Sequence, residues 1–242
     1  MSAVLASAPV SAHFSIELFD APLGAQVLGL DLARPLSLGD FQRLHHAHLD
    51  HHVLVFRDQR ITPQQQIDFS RRFGPLQIHV LRQFQLAAHP EILLISNIIE
   101  NGRPQGLGDA GHFWHSDLSY KEVPSLGSML HAQELPEEGG DTLFANMHLA
   151  WESLPVALRH AVRGARAEHS YLTQYAELRR RNPFRPALSQ AQLEEVRPNP
   201  PKLRLFSNFS DSSPCAVFGL GLVVLRDFHG GDRSDRQSSR AL

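Results

Sequence analysis

The chain has 242 residues, of which 42% are hydrophobic and 20% charged, enough apolar material for one large domain or two small ones. A formal charge of −2 gives no support to nucleic acid or an anionic membrane surface as partner. The single cysteine, Cys215, excludes an intrachain disulfide and fits a reducing compartment. The opening "MSAVLASAPVSAHFS" lacks the basic start and long apolar core of a signal peptide. The longest apolar run, "CAVFGLGLVVL" at 215–225, falls short of the roughly 20 residues that span a bilayer. The expectation is a soluble, cytoplasmic protein.

In chain order, "FSIELFDAPLGAQVLGLDL" (14–32) alternates apolar residues around Pro22, Gly24 and Gly29, as a strand, a turn and a second strand do. Ser37 is placed to cap a helix whose apolar stripe runs through Phe41, Leu44, His48 and Leu49. "HVLVFRD" (52–58) reads as a buried strand, and Thr62-Pro63-Gln64-Gln65 as a capping box opening a short helix to about Arg72. "EILLISNI" (91–98) predicts another strand, followed by the glycine-rich loop "ENGRPQGLGDAG". "HFWHSDLSY" alternates large apolar and polar residues, and predicts a strand or strand edge. Beyond it come a strand in "LGSMLHAQEL", a turn in "PEEGGDT", the stretch "LFANM", a helix from about His148 to Arg163 and a second near 168–181. Irregular alternation of strands and helices with frequent glycine turns suits an α+β or jelly-roll chain better than a doubly wound one.

The chemistry-bearing residues are histidines and acids. In a strand, side chains two apart share a face, so His115 and Asp117 would converge on one small object. The same His-x-Asp pattern occurs at His48–Asp50 in a predicted helix, and with fifteen histidines about one instance is expected by chance. The cluster "HHAHLDHH" (45–52) reads first as a surface helix rich in histidine, and only second as a metal site through His48 and His52. "RRRNPFR" (179–185) reads as a solvated helix end. H-E-x-x-H, Gly-x-Ser-x-Gly, Walker and Gly-x-Gly-x-x-Gly signatures are absent. Two ligands on one strand plus a third from elsewhere form a facial triad, for which iron is the leading metal.

The blocks "WHSDLSYKEVPSLGSMLHAQELPEEGGDTLFANMHLAWESLP", "LGAQVLGLDLARPLS" and "HHVLVFRDQRITPQQQIDFSRRFGPL" resemble the taurine dioxygenase (TauD/TfdA) family of Fe(II)/2-oxoglutarate-dependent dioxygenases, a likeness that continues to Pro186. The resemblance implies a double-stranded β-helix (jelly roll) with flanking helices, and oxidation of a small organic acid such as taurine or a related sulfonate. Its co-products would be succinate and CO2. It implies His115 and Asp117 as iron ligands, Thr142 of "GGDT" as a hydrogen-bond donor to 2-oxoglutarate, and His79 of "FGPLQIHV" as a substrate contact. The implied partners are 2-oxoglutarate, O2 and a small-molecule substrate, with a homo-oligomer left open.

After about Val196 the likeness stops. The family's "WDNR"-like block, its second iron histidine and its 2-oxoglutarate arginine have no counterpart, and His229, with Arg233, Arg236 and Arg240 behind it, is the one histidine there. The expected organisation is a dioxygenase domain over 1–196, incomplete at its C-terminal end. A divergent, partly disordered segment over 197–242 would follow, as a frame change or truncation would leave it. The alternative reading is a catalytically incomplete fragment that at most binds a metal or a partner.

Overall fold

The computed structural model describes residues 13–111, 113–163, 165–182, 185–196, 202–204 and 221–224. Local signals account for its first elements. Strands β1 (Ser15–Leu18) and β2 (Ala25–Leu28) pair antiparallel, with Ser15 opposite Leu28. Gly24 precedes β2 at φ +100°, where a Cβ would also meet the Phe19 ring at 2.8 Å, so only glycine makes this turn. Helix α1 (Leu38–His51) starts where the Ser37 hydroxyl accepts the Asp40 N–H, and it buries Leu44, Ala47 and His48 on one face. His48, a member of the predicted apolar stripe, is a core residue.

Strand β3 (Val53–Phe56) follows, then helix α2 (Pro63–Arg71), opened by the predicted capping box. The Thr62 hydroxyl accepts from Gln65 N, and the Gln65 side-chain Oε1 accepts from Thr62 N at 2.7 Å. A single 3-10 turn (Arg82–Phe84) leads to β4 (Gln85–Leu86), β5 (His89–Leu93), β6 (Ile99–Glu100), β7 (Arg103–Pro104) and β8 (Ser128–His131).

The single helix predicted over 148–163 is two, α3 (Met147–Ser153) and α4 (Val156–Val162). Pro155 separates them, because its ring and missing N–H do not fit a helix interior. Strand β9 (Arg166–Glu168) takes the start of the next predicted helix, so α5 runs Tyr171–Arg181. Helix α6 (Gln190–Val196) and strands β10 (Lys202–Arg204) and β11 (Gly221–Val224) complete the chain order. Two stretches of the segment expected to diverge therefore form strands. The expected boundary at 196/197 lies at the margin of the described residues.

The chain divides into two compact units, each assembled from separate segments. The first comprises 1–74, 127–146 and 219–242. Its five-stranded sheet has the order β1-β2-β3-β11-β8, antiparallel at β1/β2 and parallel at the other pairings. The sheet is mixed, within an α+β architecture. Leu54 and Phe56, both fully buried, pack with Ala25, Val27, Leu44 and Phe69. Buried Gln59 is fully satisfied: its amide nitrogen donates to Leu30 O and Arg57 O, and its oxygen accepts from Leu32 N, all at 2.8 Å.

The second unit comprises 75–126 and 147–218. Its sheets are the two-stranded antiparallel pairs β4/β5, β6/β7 and β9/β10. Its core is Val80, Leu81, Leu107, Tyr175 and Val196, against which Tyr120, Tyr171 and Leu172 pack. Side-chain bonds supply much of its order. Gln192 donates to Val80 O at 2.7 Å, and Tyr175 donates its hydroxyl to Pro186 O at 2.7 Å.

Candidate functional site

His115 and Asp117 lie in the second unit, and they do meet, though not by the predicted strand geometry. Residues 114–116 are irregular and 117–120 form a turn. No strand pairs with this segment among the described residues, so its backbone bonds close locally: Ser119 N to Ser116 O and Lys121 N to Leu118 O. Leu118 takes φ +53°, the left-handed region, which costs a bulky residue about 1–2 kcal/mol. The alternation of "HFWHSDLSY" was therefore misleading, since Phe113 and Trp114, adjacent in sequence, are both exposed.

The turn still brings His115 Nε2 to 3.2 Å from Asp117 Oδ1. His115 Nδ1 lies 2.8 Å from the Phe113 carbonyl, which can only accept, so Nδ1 carries a proton. Nε2 and the carboxylate then face each other as two electron-pair donors, an arrangement that calls for a cation between them. A second proton is one such cation: the Asp117 hydrogen bond, with help from Phe113 O and against partial burial, raises the His115 pKa. A metal ion is the other, and a backbone carbonyl holding Nδ1–H is the usual outer support of a metal-binding histidine. Both side chains are open to a ligand, at 38% and 51% exposure. The residues present thus fit two positions of a metal site. Among the described residues no group of three His, Cys, Asp or Glu could hold a metal together, and His229 lies outside them.

The turn is tied to other segments of this unit by side-chain contacts. Lys121 donates to Gln77 Oε1 at 3.0 Å, and His169 Nδ1 lies 2.9 Å from the Ser119 hydroxyl. His79 is partly buried, with Nδ1 accepting the Leu81 N–H at 3.1 Å. Burial pushes its pKa down, opposed by the negative charge of Asp117. His79 and Asp117 are thus electrostatic neighbours, and sequence reasoning had placed both in the site. Thr142 belongs to the first unit, on an exposed irregular segment after Gly139 and Gly140, each at φ +75°.

Sequence reasoning missed the rest of this surrounding. Tyr120, Tyr171 and Tyr175 form a chain of rings, with centroids 4.7 Å and 5.5 Å apart. Arg185, read as part of a solvated helix end, is buried; it stacks over Tyr175 and pairs with Asp109, which also accepts from Asn182. Arg180 and Arg181 of the same run are exposed and pair with Glu177, as expected. The cluster at 45–52 holds His48 in the core, where burial first and then His45 and His52 lower its pKa to about 4. A group so reluctant to take a charge is packing material, and His48 lies edge-on to Phe73 at 5.7 Å.

Residues 15–204 match the family described as "Taurine catabolism dioxygenase TauD, TfdA family". The chain belongs to the TauD/TfdA dioxygenase family. Within it, this chain is 38% identical over 160 residues to pentalenolactone F synthase of Streptomyces avermitilis, covering 64% of this chain and 52% of that protein. It is 34% identical over 174 residues to the alpha-ketoglutarate-dependent 2,4-dichlorophenoxyacetate dioxygenase of Cupriavidus pinatubonensis, covering 64% and 61%. The crystal structure of a taurine dioxygenase from Burkholderia xenovorans superposes with a TM-score of 0.52 at 29% identity, covering 65% of this chain and 54% of that one. This TauD/TfdA chain spans about half the length of the curated relatives it matches. Among its described residues no helix is long and apolar enough to cross a membrane.

Proposed function

We propose that this protein is an Fe(II)- and 2-oxoglutarate-dependent dioxygenase that hydroxylates a small organic acid, such as taurine or a related sulfonate, in the cytoplasm. The observation that carries the reading is the convergence of His115 Nε2 and Asp117 Oδ1 at 3.2 Å in a chain of this family. Relatives named for 2,4-dichlorophenoxyacetate and for taurine support an acid as substrate. Iron with 2-oxoglutarate would supply oxygen activation at a substrate C–H bond, yielding succinate and CO2. His115 and Asp117 would hold the metal, the Phe113 carbonyl fixing the imidazole so that Nε2 faces it. Thr142 would donate to a 2-oxoglutarate carboxylate, and His79 would contact the substrate. The same reading takes 1–196 as the dioxygenase domain, completed as a double-stranded β-helix.

Succinate release that requires both Fe(II) and 2-oxoglutarate is the test, read beside the visible absorption band of the iron–2-oxoglutarate complex. Asp117→Ala should abolish the band, and an unchanged band would place the metal elsewhere. Thr142→Val should weaken 2-oxoglutarate roughly ten- to a hundredfold, the value of a hydrogen bond to a charged group. A second reading, a catalytically incomplete member that binds a metal without turnover, is favoured by the two-residue ligand set among the described residues. Binding of Fe(II) with no succinate would select it.

A further inference from the structure

The segment that carries His115 and Asp117 has no ladder among the described residues, so other contacts must set its position. The glycine-rich loop that leads into it, 105–111, is fastened on two sides. On one side it lies against the residues after β5. Leu107 N donates to Leu94 O at 2.9 Å, and a Cβ on Gly106 would meet Leu94 O and Ser96 N at 2.8 Å, an approach open to glycine alone. On the other side Asp109 pairs with Arg185 and accepts from Asn182 Nδ2 at 3.2 Å.

The Arg185 and Asp109 side chains are deeply buried, at 5% and 16% exposure. The guanidinium stacks 4.7 Å over the Tyr175 ring, and the Tyr175 hydroxyl donates to Pro186 O, so Arg185 is itself held to helix α5. A buried ion pair gains little net stability over apolar packing, and its best-attested use is to select one register. The register selected here reaches the candidate metal site. Gly111, two residues past Asp109, lies against the His115 imidazole, where a Cβ built on it would stand 3.9 Å from His115 Cε1. The Phe113 carbonyl, 2.8 Å from Nδ1, then turns the same ring.

We propose that Asp109 and Arg185 are positioning residues for the metal pair: their contact docks loop 105–111 on the end of α5 and so sets His115 against Asp117. This rests on the reading of His115 and Asp117 as metal ligands, and adds what aims them, a buried charge pair outside the ligand set.

Two readouts on the full chain test this without substrate. In the metal-free protein, an NMR cross-relaxation peak between Gly111 Hα and His115 Hε1 reports where the imidazole stands. Titration with Co(II) alone reports the metal pair. Asp109→Asn and Arg185→Met should each remove the peak and weaken Co(II) roughly tenfold, the scale seen when a support of a metal ligand is lost. The double variant should do no more than either single, because both act through one contact. It also leaves no buried charge unpaired, so it carries the test should a single variant fail to fold. Val196→Ala, a core truncation in the same unit, should keep both the peak and the Co(II) affinity at a temperature where circular dichroism shows it folded. A peak absent from the wild type or kept in the Asp109 and Arg185 variants, additive losses in the double variant, or equal losses in Val196→Ala would each overturn the proposal. Loss of the peak in the variants of a chain that never binds Co(II) keeps the positioning and sinks the metal reading. Co(II) binding that both variants leave intact does the reverse.

Discussion

The two units reach order by different means. In the first, a five-stranded sheet and two capped helices bury a dense apolar core, and the backbone is satisfied mainly by ladders and helical bonds. In the second, strands are paired only in twos, and individual side chains do the fastening: Arg185 to Asp109, Gln192 to Val80, Lys121 to Gln77 and His169 to the Ser119 hydroxyl. His79, His115 and Asp117 sit in the second kind of structure, and Thr142 in the first. Loops can aim side chains at a ligand in ways a regular strand cannot, at the cost of depending on a few polar contacts.

Mutations can break this contrast. Phe56→Ala in the first unit removes a fully buried ring and should cost about 3–5 kcal/mol in denaturant titration. Asp109→Ala in the second should cost about 3 kcal/mol by leaving buried Arg185 without its partner. Hydrogen exchange separates the two, and Asp109→Ala should speed exchange over 105–121 while β2 and β3 stay protected. Equal loss of protection in both units would make the contrast wrong.

Acid sharpens it further. His48 has a native pKa of about 4 against about 6.5 unfolded, so its contribution is fully present above pH 6.5 and lost as pH falls toward 4. Linkage puts that loss at about 3 kcal/mol, and His48→Leu should flatten the stability profile between those limits. The smallest effect belongs to the α2 cap, where Thr62→Ala should cost about 1 kcal/mol by thermal denaturation.

What could be read from the sequence follows the same division. Ser37 and the Thr62–Gln65 box act on backbone three residues away, so local pattern suffices to find them. His115 and Asp117 were legible as a pair, but their meeting rests on a turn with a left-handed leucine, which no propensity predicts. Tyr120 and Tyr171 carry no shared motif; a distant chain reversal makes them neighbours. Arg185 was misread because its burial is decided by Asp109, 76 residues earlier.

The placement of β11 between β3 and β8 also bears on how the chain is made. Residues 221–224 pair with 53–56 and with 128–131, so an inner strand of the first unit's sheet leaves the ribosome long after both its neighbours. At ordinary elongation rates the gap after β3 is on the order of ten to thirty seconds, and after β8 about half that. During that time β3 offers an open row of N–H and C=O groups to any strand that finds it. The nascent chain is therefore expected to need a holding chaperone, and its yield to improve when translation is quick relative to aggregation.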